Sequence, residues 1–195
     1  MQILLRNGSA IEPYLEDLAR LRITVFREFP YLYEGTAEYE RSYIATYARS
    51  PDSLFVLAID GNRVVGCSTG IPMTDESEAF RKPFVDAGWD PDRIFYFGES
   101  VLEKTYRGQG LGVRFFEERE AYARGLRRFD HCAFCAVERS HAHPLRPAGY
   151  EPLDSFWKKR GYRHHPELRT HYSWRDIDQS EETEKPMSFW LKSIG

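Results

Sequence analysis

Residues 94–112 read IFYFGESVLEKTYRGQGLG. The segment begins with an apolar run, passes through a polar turn and reaches three glycines within five positions, Gly108, Gly110 and Gly112. After the glycines, apolar residues recur at helical spacing and charged residues fall opposite them. The apolar face holds Leu111, Phe115, Tyr122 and Leu126, and the opposite face holds Glu117, Glu120 and Arg124. The pattern predicts a strand, a glycine-rich turn and a helix.

A glycine-rich turn that leads into a helix favours an anion. Unpaired backbone N–H groups and the positive end of the helix dipole meet there, and glycine lets a phosphate approach the backbone closely. The spacing excludes two nucleotide-binding motifs. The G-x-G-x-x-G fingerprint would require a third glycine where Val113 stands, and no Lys-Ser or Lys-Thr follows a glycine as a P-loop requires. A turn that needs glycine for its geometry alone stays open as an alternative.

The spacing Arg107-x-x-Gly110-x-Gly112 resembles the pyrophosphate loop of the GNAT superfamily of acetyl-CoA-dependent N-acyltransferases. In that superfamily a strand precedes the loop and a helix follows it. The resemblance implies that acetyl-CoA is the co-substrate, with its diphosphate on the turn and its pantetheine arm paired with the preceding strand. The cofactor-binding residues it implies are Ser100, Val101, Leu102, Arg107, Gly108, Gln109, Gly110, Leu111, Gly112, Val113 and Trp157.

Composition limits the class of protein. A chain of 195 residues favours one domain over residues 1–195, and a net charge of -3 gives no nucleic-acid signature. No apolar run reaches the roughly 18 residues of a membrane-spanning helix, and the N-terminus lacks the features of a signal peptide. Three cysteines, an odd number, favour a reduced, cytoplasmic protein.

The order of predicted elements indicates an α/β domain. The patterns predict strands at residues 2–6, 54–59, 64–71, from 94 to the glycine turn, 132–137, 168–175 and 187–194, and helices at 13–29, 37–49, 77–87, 111–126 and 153–160. The resemblance implies a GNAT-like fold whose mixed, mostly antiparallel central sheet is flanked by helices. The segment from Ser77 to Pro91 is an insertion relative to the minimal pattern of that superfamily.

Direct acetyl transfer requires a base for the amine and a proton for the leaving thiolate. Glu99 is the candidate base, because it lies in an otherwise apolar strand where desolvation would raise the pKa of a carboxyl group. A glutamate on a solvated strand face is the alternative. GNAT enzymes often carry a tyrosine as thiolate donor in a string similar to residues 156–162, but here Trp157 stands at that position, and an indole N–H is not an acid. Tyr150, in the preceding loop, is the candidate substitute.

Cysteines and histidines suggest no metal site. Cys132 and Cys135 lie three apart in a predicted strand, so their side chains point to opposite faces and are expected in the core. The histidines between 141 and 171 match no ligand motif, so no metal is expected.

The acceptor is expected against the two early helices, in a region rich in aromatics and carboxylates that suit a cationic amine. That region holds Phe26, Phe29, Tyr31, Tyr33, Glu34, Glu38, Tyr39, Glu40 and Tyr43. The same residues would also serve as an ordinary helix-pair core with a solvated face. The sequence leaves open a small-molecule or a peptide amine, and a monomer or a homodimer. A GNAT-fold protein that binds CoA without efficient catalysis and an unrelated nucleotide-diphosphate binder are the alternative functions.

Overall fold

The computed structural model describes residues 1–195. Eight strands form a central sheet, and five α-helices flank it. The strands are β1 Gln2–Arg6, β2 Leu54–Asp60, β3 Arg63–Pro72, β4 Ile94–Tyr96, β5 Ser100–Leu102, β6 His131–Val137, β7 Arg163–Trp174 and β8 Thr183–Ser193. The helices are α1 Leu15–Phe26, α2 Ala37–Arg49, α3 Glu78–Asp86, α4 Leu111–Gly125 and α5 Asp154–Lys158. No helix combines the length and apolar character needed to cross a bilayer.

The sheet is mixed and mostly antiparallel, as predicted. Its strand order is β1-β2-β3-β4-β6-β8-β7, and β5 pairs with β3 beside this path. Only β4 and β6 run parallel, because the connection between them is a crossover through α4. All other neighbouring strands run antiparallel.

A separate apolar core covers each face of the sheet. One core contains residues of α1, α2 and α3, including Leu18, Ile44 and Phe84. The other contains residues of α4 and the segment after α5, including Phe115 and Tyr162. Strand residues alternate between the two cores, as the two-residue period of a strand requires.

Several predicted boundaries were wrong. α1 is shorter than predicted, because Pro13 lies in a 3₁₀ segment, Gly8–Tyr14, and the helix ends at Phe26. α5 is a short helix of five residues. β7 and β8 extend beyond the predicted strands, and an irregularity in β7 between His165 and Arg169 interrupts the alternation that was used to place it. The predicted continuous strand from Ile94 divides into β4 and β5.

The assignment of Glu120 to a face opposite the apolar side of α4 was also wrong. Glu120 is buried, its Oε1 accepts a hydrogen bond from Tyr162 at 3.2 Å, and its Oε2 pairs with Lys192 at 2.7 Å. α4 packs against the sheet and also against Phe156 of α5 through Phe116, so its buried stripe is wider than one helical face. Periodicity alone does not report a second packing surface.

A buried ion pair connects two loops on the side of α1 and α2. Arg139, which follows β6, donates two hydrogen bonds to Asp176 at 2.7 and 2.9 Å. The same guanidinium donates to the carbonyls of Pro30 and Tyr31. Lys185 lies 3.3 Å from Asp176, whose side chain is fully buried. Arg139 and Asp176 therefore fix the connection between α1 and α2 against the turn between β7 and β8.

We predict that Asp176→Asn lowers the free energy of unfolding by about 3–5 kcal/mol, because it leaves two buried cations without their carboxylate. Urea unfolding followed by circular dichroism measures the change. Asp52→Asn is the control, since it breaks the ion pair between Asp52 and Arg128. These side chains are 37 % and 48 % exposed respectively, and such an exposed pair contributes at most about 1 kcal/mol to stability. Equal effects of the two substitutions would contradict the structural role of Asp176.

Candidate active site

The sheet opens between β5 and β6. β4 pairs with β6 as far as Tyr96 and Ala133, and Phe97 donates one more hydrogen bond to the Ala133 carbonyl at 2.7 Å. After Phe97 the chain turns away, and β5 pairs with β3 only. The second half of β6 pairs with β8 alone. A wedge therefore separates β5 from the end of β6, and Glu99 lies where the two halves of the strand diverge.

Arg119 of α4 holds this divergence in place. Its side chain is 1 % exposed, and its Nη1 donates to the carbonyls of Thr69 at 3.2 Å and Glu99 at 3.1 Å. Its Nη2 donates to Ser100 Oγ at 2.8 Å, and the guanidinium lies over the Phe97 ring at 4.1 Å. Burial lowers the pKa of Arg119 to about 10, which keeps it protonated at neutral pH.

One edge of β5 carries backbone groups that no strand pairs. Thr69 donates to the Glu99 carbonyl and Glu103 donates to the Val65 carbonyl, so residues 99, 101 and 103 turn their backbone groups towards β3. By the same alternation, Ser100 and Leu102 turn theirs towards the wedge. Val101 is fully buried and its backbone pairs with β3. The resemblance implied that its backbone would pair with the pantetheine arm, but it faces β3 and not the wedge.

The glycine turn ends at the first residue of α4. Gly108 and Gly110 have φ angles of 77° and 84°, which favour glycine, and a Cβ on either would meet nothing within 4 Å. No side chain caps the helix, so its first N–H groups, at Leu111 to Val113, face outward. Gly112 differs, since a Cβ there would lie 3.4 Å from the Phe156 ring. The geometry of the turn accounts for two of the glycines, and it also leaves an open site for an anion.

Two side chains of the turn are occupied within the protein. Arg107 forms a two-pronged pair with Glu28, at 2.8 and 3.1 Å, and its Nε donates to the Leu102 carbonyl. Gln109 donates to the Thr105 carbonyl. The turn therefore presents backbone groups to a ligand, while Arg107 connects it to the end of α1.

Glu99 lies in a buried ion pair. Its side chain is 5 % exposed, and its Oε2 is 2.8 Å from Nη1 of Arg22. Arg22 also pairs with Glu40, whose side chain is fully buried, and its guanidinium stacks over the Tyr43 ring at 4.1 Å. The surroundings of Glu99 thus differ from the apolar setting expected from the sequence, because a cation from α1 reaches it.

A hydrogen-bonded chain continues from Glu99 across α2. The Tyr43 hydroxyl lies 3.4 Å from Glu99 Oε2 and 3.3 Å from the Tyr47 hydroxyl. The Tyr47 hydroxyl donates to Glu76 Oε1 at 2.7 Å. Burial is the main cause that raises the pKa of both phenols well above the ordinary value, and it also raises the pKa of Glu76.

Tyr150 and Trp157 lie at different places around the wedge. Tyr150 packs edge-on against Phe29 with ring centroids 4.7 Å apart, under the guanidinium of Arg146. Burial raises its pKa. Trp157 of α5 packs against Phe134, which lies on the second half of β6, with centroids 5.1 Å apart. The structure has no hydrogen bond from Tyr150 to Glu99, and it places Trp157 beside the half of β6 that pairs with β8 alone.

Aromatic side chains of the early helices gather on the side of Glu99 away from α4. Tyr31 packs against Phe26 at 4.7 Å and against Trp174 at 6.0 Å, and its pKa is raised by burial and by the nearby groups of Cys135 and Tyr150. Tyr39 and Tyr172 share a hydrogen bond of 2.6 Å between their hydroxyls. These residues bring the predicted acceptor region against the candidate base.

The three cysteines are free and buried, and Cys132 and Cys135 lie in different cores, as predicted from their spacing. No three or more His, Cys, Asp or Glu side chains lie in an arrangement that could hold a metal ion.

A mixed sheet with one splayed strand, followed by an open glycine turn at a helix start, is the arrangement that the resemblance to acetyl-CoA-dependent transferases implied. Residues 17–146, more than half of the chain, match the acetyltransferase (GNAT) family. The chain therefore belongs to the GNAT acetyltransferase family, whose general activity is acetyl transfer from acetyl-CoA. The resemblance inferred from the glycine turn is confirmed.

Solved structures share the fold along nearly the whole chain. NAA60 of Arabidopsis thaliana, in complex with a bisubstrate analogue, is 15 % identical with a TM-score of 0.62, and the match covers 100 % of both chains. Ribosomal-protein-alanine N-acetyltransferase of Brucella melitensis is 14 % identical with a TM-score of 0.62, covering 97 % of this chain and 99 % of that one. An aminoglycoside 6'-N-acetyltransferase complexed with coenzyme A is 16 % identical with a TM-score of 0.60, covering 98 % and 97 %. None of the curated proteins matches the chain in sequence.

Sequence reasoning missed four residues of the site: Arg22, Tyr47, Glu76 and Arg119. A signal existed for the two arginines, because each lies within the apolar stripe of its helix. Arg22 is four residues after Leu18, and Arg119 is four residues after Phe115. A charged residue at such a position is either paired or hydrogen-bonded when the helix packs. For Glu76 the sequence offered no comparable signal.

We predict that Arg119→Met lowers the free energy of unfolding by about 3 kcal/mol, because the carbonyls of Thr69 and Glu99 lose a buried donor. Arg114→Met, on the same helix, replaces an exposed arginine paired with Glu118 and is expected to change stability by less than about 0.5 kcal/mol. Thermal and urea unfolding of both variants provide the measurement. A stability of Arg119→Met equal to that of the control would show that the splay does not depend on this side chain.

Proposed function

We propose that this protein is an N-acetyltransferase that transfers the acetyl group of acetyl-CoA directly to a primary amine. The observation that carries the proposal is the open wedge beside β5, which ends at the glycine turn and the exposed N–H groups of α4. Family membership supplies the general chemistry, and this geometry offers a place for each part of the co-substrate.

The residues present fit acetyl-CoA. The N–H groups at Leu111 to Val113 would hold the diphosphate, with Gly108 and Gly110 leaving the approach free of side chains. The backbone groups of Ser100 and the N–H of Leu102, which pair with no strand, would hold the pantetheine arm in the manner of an added strand, whereas the Leu102 carbonyl accepts from Arg107. The co-substrate supplies an activated acetyl group, and the protein supplies orientation and proton transfer.

Glu99 is the proposed base for the acceptor amine. It is the carboxylate nearest the divergence of β4 and β5, and its pairing with Arg22 fixes its position. Tyr150 is the proposed proton donor to the leaving thiolate, and Trp157 is the proposed apolar wall beside the half of β6 that pairs with β8 alone. No covalent enzyme intermediate is part of the proposal, since the three cysteines are buried.

The acceptor is a small-molecule or peptide amine. Tyr31, Tyr43 and the carboxylates Glu40 and Glu99 form aromatic and negative surroundings, which attract an ammonium group. The similar structures include one protein named for an aminoglycoside and one named for a ribosomal protein, which supports testing both kinds of amine. A single domain over residues 1–195 and a cytoplasmic location belong to the proposal on the sequence grounds given above, and the choice between a monomer and a homodimer stays open.

Calorimetric titration with acetyl-CoA, with NAD and ATP as controls, tests the co-substrate. We predict that Gly110→Asp raises the Kd for acetyl-CoA at least about 100-fold, roughly 3 kcal/mol, because it places a side chain and a negative charge at the diphosphate. Gly88→Asp is the matched control, since Gly88 has a φ of 81° and open space around it but lies outside the turn. Normal affinity in folded Gly110→Asp would refute the assignment of the site.

We predict that Glu99→Gln lowers kcat about 100-fold with little change in acetyl-CoA affinity, as expected for loss of a base. The assay follows CoA release with kanamycin, a peptide with an N-terminal alanine and a peptide with an internal lysine as acceptors. Glu40→Gln also removes a carboxylate partner of Arg22, so it should affect turnover less than Glu99→Gln. Acetyl-CoA binding by the wild-type protein without acetylation of any amine would favour the CoA-binding alternative.

A further inference from the structure

We propose that Tyr43, Tyr47 and Glu76 form a proton-transfer chain that carries the proton of the acceptor ammonium from Glu99 towards solvent. The inference rests on the proposed function, because it takes Glu99 as the first acceptor of that proton. It assigns a role to Glu76, which immediately precedes the segment inserted between β3 and β4.

The Tyr43 hydroxyl lies within reach of two acceptors, Glu99 Oε2 at 3.4 Å and the Tyr47 hydroxyl oxygen at 3.3 Å, and its single hydrogen can serve only one of them at a time. Tyr47 donates to Glu76 at 2.7 Å. When Glu99 carries a proton and donates it to Tyr43, the Tyr43 hydrogen is free to point to Tyr47 alone. Both Tyr43 distances exceed the ordinary O–H···O length, so the hydroxyl must move by about half an ångström during transfer.

The chain connects a buried carboxylate with the surface. The Glu99 side chain is 5 % exposed and Tyr47 is 1 % exposed, whereas Glu76 is half-buried between the exposed residues Asp75 and Ser77. Glu99 faces Arg22 on its other side. A proton that reaches Glu99 therefore has a hydrogen-bonded route to solvent across α2.

The proton balance of the reaction requires such an exit. An acceptor ammonium that becomes an amide loses two of its three N–H protons. The first leaves to Glu99 and frees the nitrogen lone pair, which attacks the thioester carbon. The new C–N bond replaces the C–S bond, and the second proton protonates the sulfur. The first proton is released by the chain through Glu76.

Burial shifts the pKa of each residue in the chain in the direction that its part in proton transfer requires. The raised pKa of Tyr43 and Tyr47 keeps both phenols neutral, so each accepts one proton while it donates another. Burial and the charge of Glu99 raise the pKa of Glu76, and the hydrogen bonds from Tyr47 and Ser77 oppose this. A carboxyl group with a raised pKa retains a proton more readily. The charge of Glu76 in turn raises the pKa of Tyr43 and Tyr47 of α2, Tyr96 of β4, Cys135 of β6 and Tyr172 of β7.

Gly98 shows how closely Tyr47 approaches the reactive strand. A Cβ at Gly98 would lie 2.1 Å from the Tyr47 hydroxyl and 2.8 Å from Thr69 Oγ1. The missing side chain lets this hydroxyl reach the divergence of β4 and β5. Tyr47 is thus a neighbour of the proposed reaction centre and not only a member of the core.

Tyr47→Phe and Glu76→Gln test the chain. Each is expected to lower kcat about 10- to 100-fold with an unchanged KM for acetyl-CoA. Added imidazole at constant ionic strength should restore kcat in both variants, because a small buffer then removes the proton. Tyr162→Phe is the matched control, since it removes a buried tyrosine hydrogen bond to a glutamate, Glu120, outside the site. Turnover of the control should resemble wild type and not respond to imidazole.

The outcomes separate this proposal from the proposed function. Suppose that the wild-type protein turns over an amine. If kcat of Tyr47→Phe and Glu76→Gln then equals that of Tyr162→Phe, or if imidazole does not restore their lost kcat, the proton-transfer chain is overturned and the proposed function stands. Absence of turnover by the wild-type protein with every amine overturns the proposed function and the chain with it. Should Tyr47→Phe fail to fold, Glu76→Gln decides the question, because its half-buried side chain contributes little to the core.

Discussion

The hydrogen bonds of Arg119 set the geometry on which the site depends. A buried carbonyl group needs a donor, and a carbonyl oxygen can accept two hydrogen bonds. Arg119 donates to the carbonyls of Thr69 on β3 and of Glu99 at the divergence, and it is itself covered by Phe97. Both carbonyls also accept a backbone N–H, from Gly98 and from Thr69, so the guanidinium adds a second donor that holds α4 against the point where β4 and β5 diverge. The same helix begins at the glycine turn, so one element positions both the wedge and the anion site.

A second buried arginine organises the opposite side. Arg22 lies between Glu40 and Glu99 and stacks on Tyr43, so α1 and α2 are tied to the strand that carries the proposed base. Burying one cation with two carboxylates is costly unless each is paired, and the removal of either partner leaves an uncompensated charge. The position of Glu99 is thereby defined by tertiary contacts rather than by its own strand. This is the physical reason why the apolar neighbours of Glu99 in the sequence did not describe its surroundings.

The sequence predicted the element order, the mixed sheet and the glycine turn because each of these leaves a local signal. Glycines at positive φ, helical periodicity and a hairpin turn are read from neighbouring residues. The break of the strand after Tyr96 was not predicted, since nothing in Phe97, Gly98 and Glu99 shows that Ala133 is the last residue of β6 to pair there. The burial of Glu120 was missed for a related reason, because α4 packs on two surfaces and its pattern reports only one.

The two halves of the site differ in how much of them a sequence can show. The co-substrate half consists of backbone groups, so its signal is the glycine that exposes them. The proposed acceptor half takes its side chains from α1, α2, the residue before β5 and the residue before the inserted segment. It contains the carboxylates Glu40, Glu76 and Glu99, of which Glu40 and Glu99 pair with one cation, Arg22. Charged groups gathered from separate elements have no common spacing in the chain. Because the carboxylates outnumber the one arginine, Coulomb attraction in this buried setting favours an ammonium ion. The proposed acceptor chemistry therefore rests on the tertiary structure, whereas the proposed co-substrate site rests on a short motif.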